Sequence, residues 1–253
     1  MSKIEANGIC LDYPIVGMGS RSLKNRILGA ATGGLISGGD GIPVVNALRG
    51  VSFQVQEGDR LGLIGHNGAG KSTLLKVLAG IYQPTGGVLS TTGRVVSTLN
   101  LSLGMEPEAT GLENIITRGL LLGMKKKDVE QKLNDIAEFT ELGEYLDMPV
   151  RIYSSGMTTR LAFATVTAMN ADILLMDEVI GTGDAAFMDK AEKRLKDFMS
   201  RSKILVLASH SEAMIRKFCN KALLLEHGKM LGIGGVDEMF ALYNERIAAG
   251  VQA

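Results

Sequence analysis

Between Gly65 and Thr73 the chain reads GHNGAGKST, in which Gly65, Gly70, Lys71 and Ser72 satisfy the spacing G-x-x-x-x-G-K-[ST]. Glycines let the backbone N–H groups of His66, Asn67, Gly68, Ala69 and Gly70 curl around anionic oxygens, and a helix beginning at Lys71 would add its positive end. Lys71 supplies a cation for the outer phosphates, Ser72 a hydroxyl suited to Mg2+, and Thr73 extends the same cradle. The chemistry implied is capture of a nucleoside triphosphate tail.

Two further positions could act on that tail. Asp177 and Glu178 close the apolar run Ile173–Met176. The first acid can reach magnesium through water, and the second can orient or deprotonate an attacking water. The competing reading is a pair of solvated acids at a strand end. His210 closes the next apolar run, KILVLASH. A lone histidine is commonly a satisfied structural residue, but its place after the LLMDE strand points to function. A GTPase would bring a base-recognition motif such as N-K-x-D, and none is present.

The elements that must hold these residues are legible in outline. Val51, Phe53 and Val55 alternate with Ser52, Gln54 and Gln56, the pattern of a half-buried strand. Glu57-Gly58-Asp59 turns it into a short apolar strand ending at Gly65. Lys71–Ala79 reads as a helix stopped by Gly80. Helical patterning runs from Gly111 to about Tyr145, with Val129, Leu133, Ile136 and Ala137 on one face and Asp128 as its expected cap. Another helix is expected from near Ser154 through TTRLAFATVTAM, and a hairpin turning at His227-Gly228. ADILLMDE and KILVLASH have the form of central parallel strands. The fold class is therefore α/β: a parallel sheet core, an antiparallel β portion toward the N-terminus, and an inserted helical segment near residues 105–165. In such sheets ligands sit beyond the carboxyl ends of strands, where Gly65, Asp177 and His210 all fall.

Composition narrows the classes. Lys+Arg and Asp+Glu are each 27, so the net charge is zero and argues against a nucleic-acid partner. Lys125-Lys126-Lys127 is a short basic run best read as a solvated helix start. Cys10 and Cys219 form neither a disulfide framework nor a metal spacing; Cys219 is expected as a small apolar core residue. No apolar run reaches the length of a membrane span. Residues 17–46 carry a glycine-rich insert, read as a surface loop.

With YSSGM at Tyr153–Met157 standing before LLMDE, the chain resembles the ABC-type ATPases, whose signature loop is usually L-S-G-G-Q. The resemblance runs from about Val44 to Gly232. Its departures, Ser155, Met157 and DEVIGTGDAAF, are similar to one subfamily, the ATP-binding subunits of bacterial exporters for O-antigen, capsule and teichoic acid polysaccharides, and MEPEATGLENI resembles the stretch those subunits carry after their glutamine loop. The resemblance implies a P-loop ABC-type ATPase using ATP and Mg2+, in which two copies sandwich two ATPs. Ser154, Ser155, Gly156 and Asp184 of one copy would then face the nucleotide of the other. It further implies that Tyr13 stacks on adenine, Glu178 positions the water, and His210 contacts the γ-phosphate. Asn100 would stand as the glutamine-loop magnesium ligand, though shorter than the usual residue.

The partners implied are a second copy of the chain and an integral membrane channel subunit, two copies of it, with lipid-linked polysaccharide as cargo. The place implied is the cytoplasmic face of the bacterial inner membrane. Leu28-Gly29 matches a pair that reaches toward the membrane subunit, and no C-terminal carbohydrate-binding domain is expected. The rival is a soluble ABC-type ATPase acting on nucleic acid or ribosomes; a transporter subunit for another substrate is a nearer alternative.

Overall fold

The structure is a computed structural model and describes residues 1–14, 36–37, 44–99, 101, 104–177 and 185–249. Asn100, Glu178, Asp184, Leu28-Gly29 and most of the stretch 17–46 lie outside the described residues. In chain order come β1 (Lys3–Pro14), β2 (Ile36–Ser37), β3 (Val44–Gln56), β4 (Arg60–Ile64) and α1 (Lys71–Leu78). Next are β5 (Gly86–Thr92), β6 (Val95–Ser97), α2 (Gly111–Leu121), α3 (Lys126–Thr140) and two 3-10 turns, Gly143–Asp147 and Val150–Ile152. The rest are α4 (Ser155–Thr167), β7 (Ile173–Asp177), α5 (Ala185–Arg201), β8 (Ile204–Ala208), α6 (Glu212–Phe218), β9 (Lys221–Glu226), β10 (Lys229–Gly235) and α7 (Val236–Ala248).

The chain divides into two units. The first holds the described residues within 1–93, 175–178 and 204–253. Its antiparallel sheet has the order β2-β3-β1-β5. Val51, Phe53 and Val55 are buried and their alternates exposed, because one face of β3 covers the core. A second sheet sets β10, β9, β4 and β8 side by side and continues into the end of β7. There β4 runs parallel to both β8 and β9. Leu61, Leu63, Ile204–Ala208 and Ala222–Leu225 are all buried, as strands covered on both faces must be. Helix α1 ends as expected at Gly80: its N–H reaches Val77 O at 3.0 Å and Ile81 N–H reaches Lys76 O at 2.9 Å, with Gly80 at φ 71°. That pairing closes the last turn and needs the left-handed residue glycine supplies. Cys219 is half-buried beside Gly62, and burial pushes its thiol up to about 12, so it is inert.

The second unit spans 94–174 and 179–203. Here β6 lies beside the start of β7, with Asp172 and Ile173 both donating to Arg94 O. Helices α2, α3, α4 and α5 pack around Phe139, Phe163 and Phe187. The long helical stretch is two helices, broken where Gly123 takes φ 82°. Val129 and Ile136 are buried on α3 as read, while Leu133 and Ala137 are half-buried and Phe139 and Thr140 complete the face. The cap is a correction. Lys125, not Asp128, is the N-cap of α3 and makes no side-chain cap bond, so Asp128 stands inside the first turn as an acid near the helix dipole. Helix α2 carries a full capping box at Thr110 and Glu113.

Candidate nucleotide site

The loop Gly65–Gly70 leaves the carboxyl end of β4 and enters α1 directly. Gly65 has φ 142°, and a Cβ there would lie 2.2 Å from Leu225 O on β9, so no other residue fits without moving a central strand. Gly70, at φ 109°, is the N-cap of α1 and offers no side chain. The first backbone N–H groups of that helix are therefore left to a ligand, and negative charge is the partner they favour.

Lys71 is 7% exposed, and its ammonium donates to Gly65 O at 2.7 Å and His66 O at 2.9 Å. Two loop carbonyls thus fix the ammonium under the loop, where it can meet an anion bound above. Ser72 is exposed and Thr73 half-buried at the start of α1. Tyr13, near the end of β1, sits edge-on to Tyr82 with centroids 5.5 Å apart and hydrogen-bonds the Thr73 side chain. Its hydroxyl is pushed above the usual tyrosine range, first by burial and then by Tyr82.

One open cavity of about 330 Å³ gathers these groups. It is lined by Tyr13, Val45, Ala47, the run Asn67–Thr73, and His210. His210 is exposed and stands two residues beyond β8. Gly65 and His66 lie beneath the lining, both buried. Asp177 ends β7, half-buried. Val45 and Ala47 on β3 carry no chemical signal in the sequence; only the sheet brings them here.

In the other unit Ser154 is the N-cap of α4, its hydroxyl accepting from Met157 N at 3.2 Å. Ser154 and Ser155 are exposed and Gly156 half-buried at that helix start. Asn114 was not singled out by the sequence. It is fully buried and binds Glu106, Ala109 and Thr110, which orders the turn before α2. Among the described residues no group of three or more His, Cys, Asp or Glu could hold a metal ion, and no helix is long and apolar enough to cross a membrane.

A glycine loop at the end of a parallel strand, opening into a helix over a buried lysine, defines a P-loop nucleotide-binding protein of the α/β class. A family model described as ABC transporter matches residues 48–181. The chain is 48% identical over 229 residues to the O-antigen export system ATP-binding protein RfbE of Yersinia enterocolitica, covering 90% of this chain and 96% of that one. It is 41% identical to the O-antigen export system ATP-binding protein RfbB of Klebsiella pneumoniae, over 80% of this chain and 82% of the relative. It is 37% identical to the teichoic acids export ATP-binding protein TagH of Lactococcus lactis, over 79% of this chain and 42% of the relative. Two solved structures share the fold. A dimeric ATP-binding cassette in a post-hydrolysis state with ADP and phosphate has TM-score 0.65 at 18% identity, covering 92% of this chain and 98% of that one. The ATP-binding subunit of an ABC transporter has TM-score 0.68 at 20% identity, covering 96% and 94%. This chain belongs to the ABC transporter family.

Proposed function

We propose that this chain is the ATP-hydrolysing subunit of an exporter that moves a lipid-linked, O-antigen-like polysaccharide across the inner membrane. It works at the cytoplasmic face as a homodimer, driving a pair of separate membrane channel subunits. One observation carries the reading: a pocket joining Tyr13, the loop 67–73 and His210, in a chain that matches an O-antigen exporter's ATP-binding protein along nearly its whole length.

Tyr13 stacks on adenine at the pocket's outer wall. The loop N–H groups and the Lys71 ammonium take the β- and γ-phosphate oxygens, offering fixed donors where negative charge concentrates. Ser72 and Asp177 present the hard oxygen donors that Mg2+ takes, with Asn100 a third candidate ligand. When bound, Mg2+ would neutralise part of the phosphate charge. Glu178 accepts a proton from the attacking water and holds it in line. His210 donates to the γ-phosphate. From the second copy, Ser154, Ser155 and Gly156 bring hydroxyls and the positive end of α4, with Asp184 beside them.

The test is the solution mass of Glu178→Gln with and without Mg-ATP. A monomer that becomes a dimer only with Mg-ATP is expected, since binding persists while hydrolysis stops. A variant that hydrolyses ATP at the wild-type rate would overturn the role of Glu178.

A further inference from the structure

The turn between β9 and β10 closes on the nucleotide loop, and phosphate binding alone gives it no part. Gly228 N–H donates to Ala69 O at 2.9 Å, and Gly228 O accepts from Arg49 N at 2.8 Å. The hairpin tip is thereby tied to the loop on one side and to β3 on the other. Before it stands His227, at φ 47°, a left-handed conformation uncommon for a residue with a side chain. Its ring lies 4.5 Å, centroid to centroid, from the ring of His66, the residue after Gly65 in the loop.

The polar atoms of this cluster are not satisfied. His66 Nδ1 is 2.6 Å from Asn67 O. A carbonyl only accepts, so Nδ1 carries a proton, and in the neutral ring Nε2 is left as an acceptor. That Nε2 is buried without a partner, and so are His227 Nδ1 and one terminal nitrogen of Arg49. Orphaned buried groups are rare enough that three around one loop call for a cause.

Charge supplies it. His227 faces His66 from the loop, Arg49 from β3, and Glu226 on its own strand. Glu226 is itself paired with Arg246 of α7 at 2.6 Å. Lys71 adds another cation beneath His66. Burial first, then His66 and Arg49, hold His227 below the usual histidine range, with Glu226 opposing. A phosphate chain in the loop adds negative charge to this field and favours the imidazolium form of His227. In its imidazolium form both ring nitrogens of His227 donate, so the buried Nδ1 then carries a proton beside the phosphate loop.

We propose that His227 is a positioning residue for the nucleotide loop, acting through His66, and that His227 takes up a proton when a phosphate chain occupies the loop. This rests on the nucleotide-binding reading above. By linkage, proton uptake on binding means tighter binding as pH falls through the range between the free and bound midpoints.

The test uses the whole chain with Mg-ADP, which binds without turnover. The chain has three histidines, so the imidazole C–H signals can be followed by NMR, the His227 signal being the one absent from His227→Asn. Asparagine tolerates the left-handed backbone. On the wild-type chain the His227 titration midpoint should move up when Mg-ADP binds. Affinity should tighten about three-fold or more from pH 8 to pH 5.5, and His227→Asn should lose that excess. Binding with an unmoved His227 midpoint, or the same pH dependence in His227→Asn, would overturn the inference and leave the functional reading standing. Absence of any Mg-ADP binding would overturn both.

Discussion

Leu63 of β4 stands opposite Ala208 of β8 in parallel register. Two residues past each, the chain reaches Gly65 and His210, so loop and histidine emerge from the same edge of one sheet. Parallel pairing does this without any contact between the two side chains, because equal offsets along aligned strands end at equal depth. The predictions below start from that edge.

Lys71→Ala should lower the ATP hydrolysis rate by about 100- to 1000-fold, the scale of losing one preorganised donor to developing charge. A colorimetric phosphate assay reads it. The same variant should weaken nucleotide binding, since the buried ammonium is the cation beneath the loop. Wild-type turnover would exclude Lys71 from the site.

Tyr13→Ala should raise the Kd for Mg-ATP about ten-fold, the scale of one lost base–aromatic stack. Tyr13→Phe should keep most of the affinity, because the Thr73 contact involves the hydroxyl and stacking uses the ring. Fluorescence titration with a labelled nucleotide separates the two. Equal affinities for the alanine and phenylalanine variants would remove the stacking role.

Gly65→Ala should destabilise the fold as well as the site. Its Cβ would fall 2.2 Å from Leu225 O, a backbone atom of β9 that cannot swing aside. Overpacking of this kind costs about 1–3 kcal/mol or more. Urea unfolding should show an earlier midpoint. An unchanged midpoint would mean that β9 yields at that point.

Asp172 ties Arg94 N at 2.9 Å to Lys203 at 2.8 Å. The backbone N–H of Arg94 first, then Lys203, hold its carboxyl below the usual carboxylate value of 3.8. A depressed carboxyl contributes stability that is complete above 3.8 and fades as pH falls through its lower folded midpoint. Asp172→Asn should therefore lower Tm near neutral pH and show a smaller loss than wild type between pH 4 and pH 2. Thermal melts across that range check it.

The site could be read from sequence where chemistry is local. GHNGAGKST states its own backbone geometry, because glycines, lysine and hydroxyls at fixed spacing leave few other uses for them. Strand ends at Asp177 and Gly80 as helix stop were legible for the same reason. The expected Asp128 cap failed because the residue that ends a preceding turn, Lys125, is chosen by where Gly123 breaks the chain.

What the sequence by itself determined is therefore the class of many elements, the phosphate-loop motif and the resemblance to the ABC-type ATPases, all set by residue types within a few positions. What only the tertiary structure decided is who meets whom. Tyr13 reaches Thr73 and His227 rests on His66, each pair far apart along the chain, and Val45 and Ala47 wall a pocket whose loop begins about twenty residues later. Strand order and register set those meetings, and both come from the sum of many weak apolar contacts across sheets. No single residue carries such a sum, so no short motif can announce it.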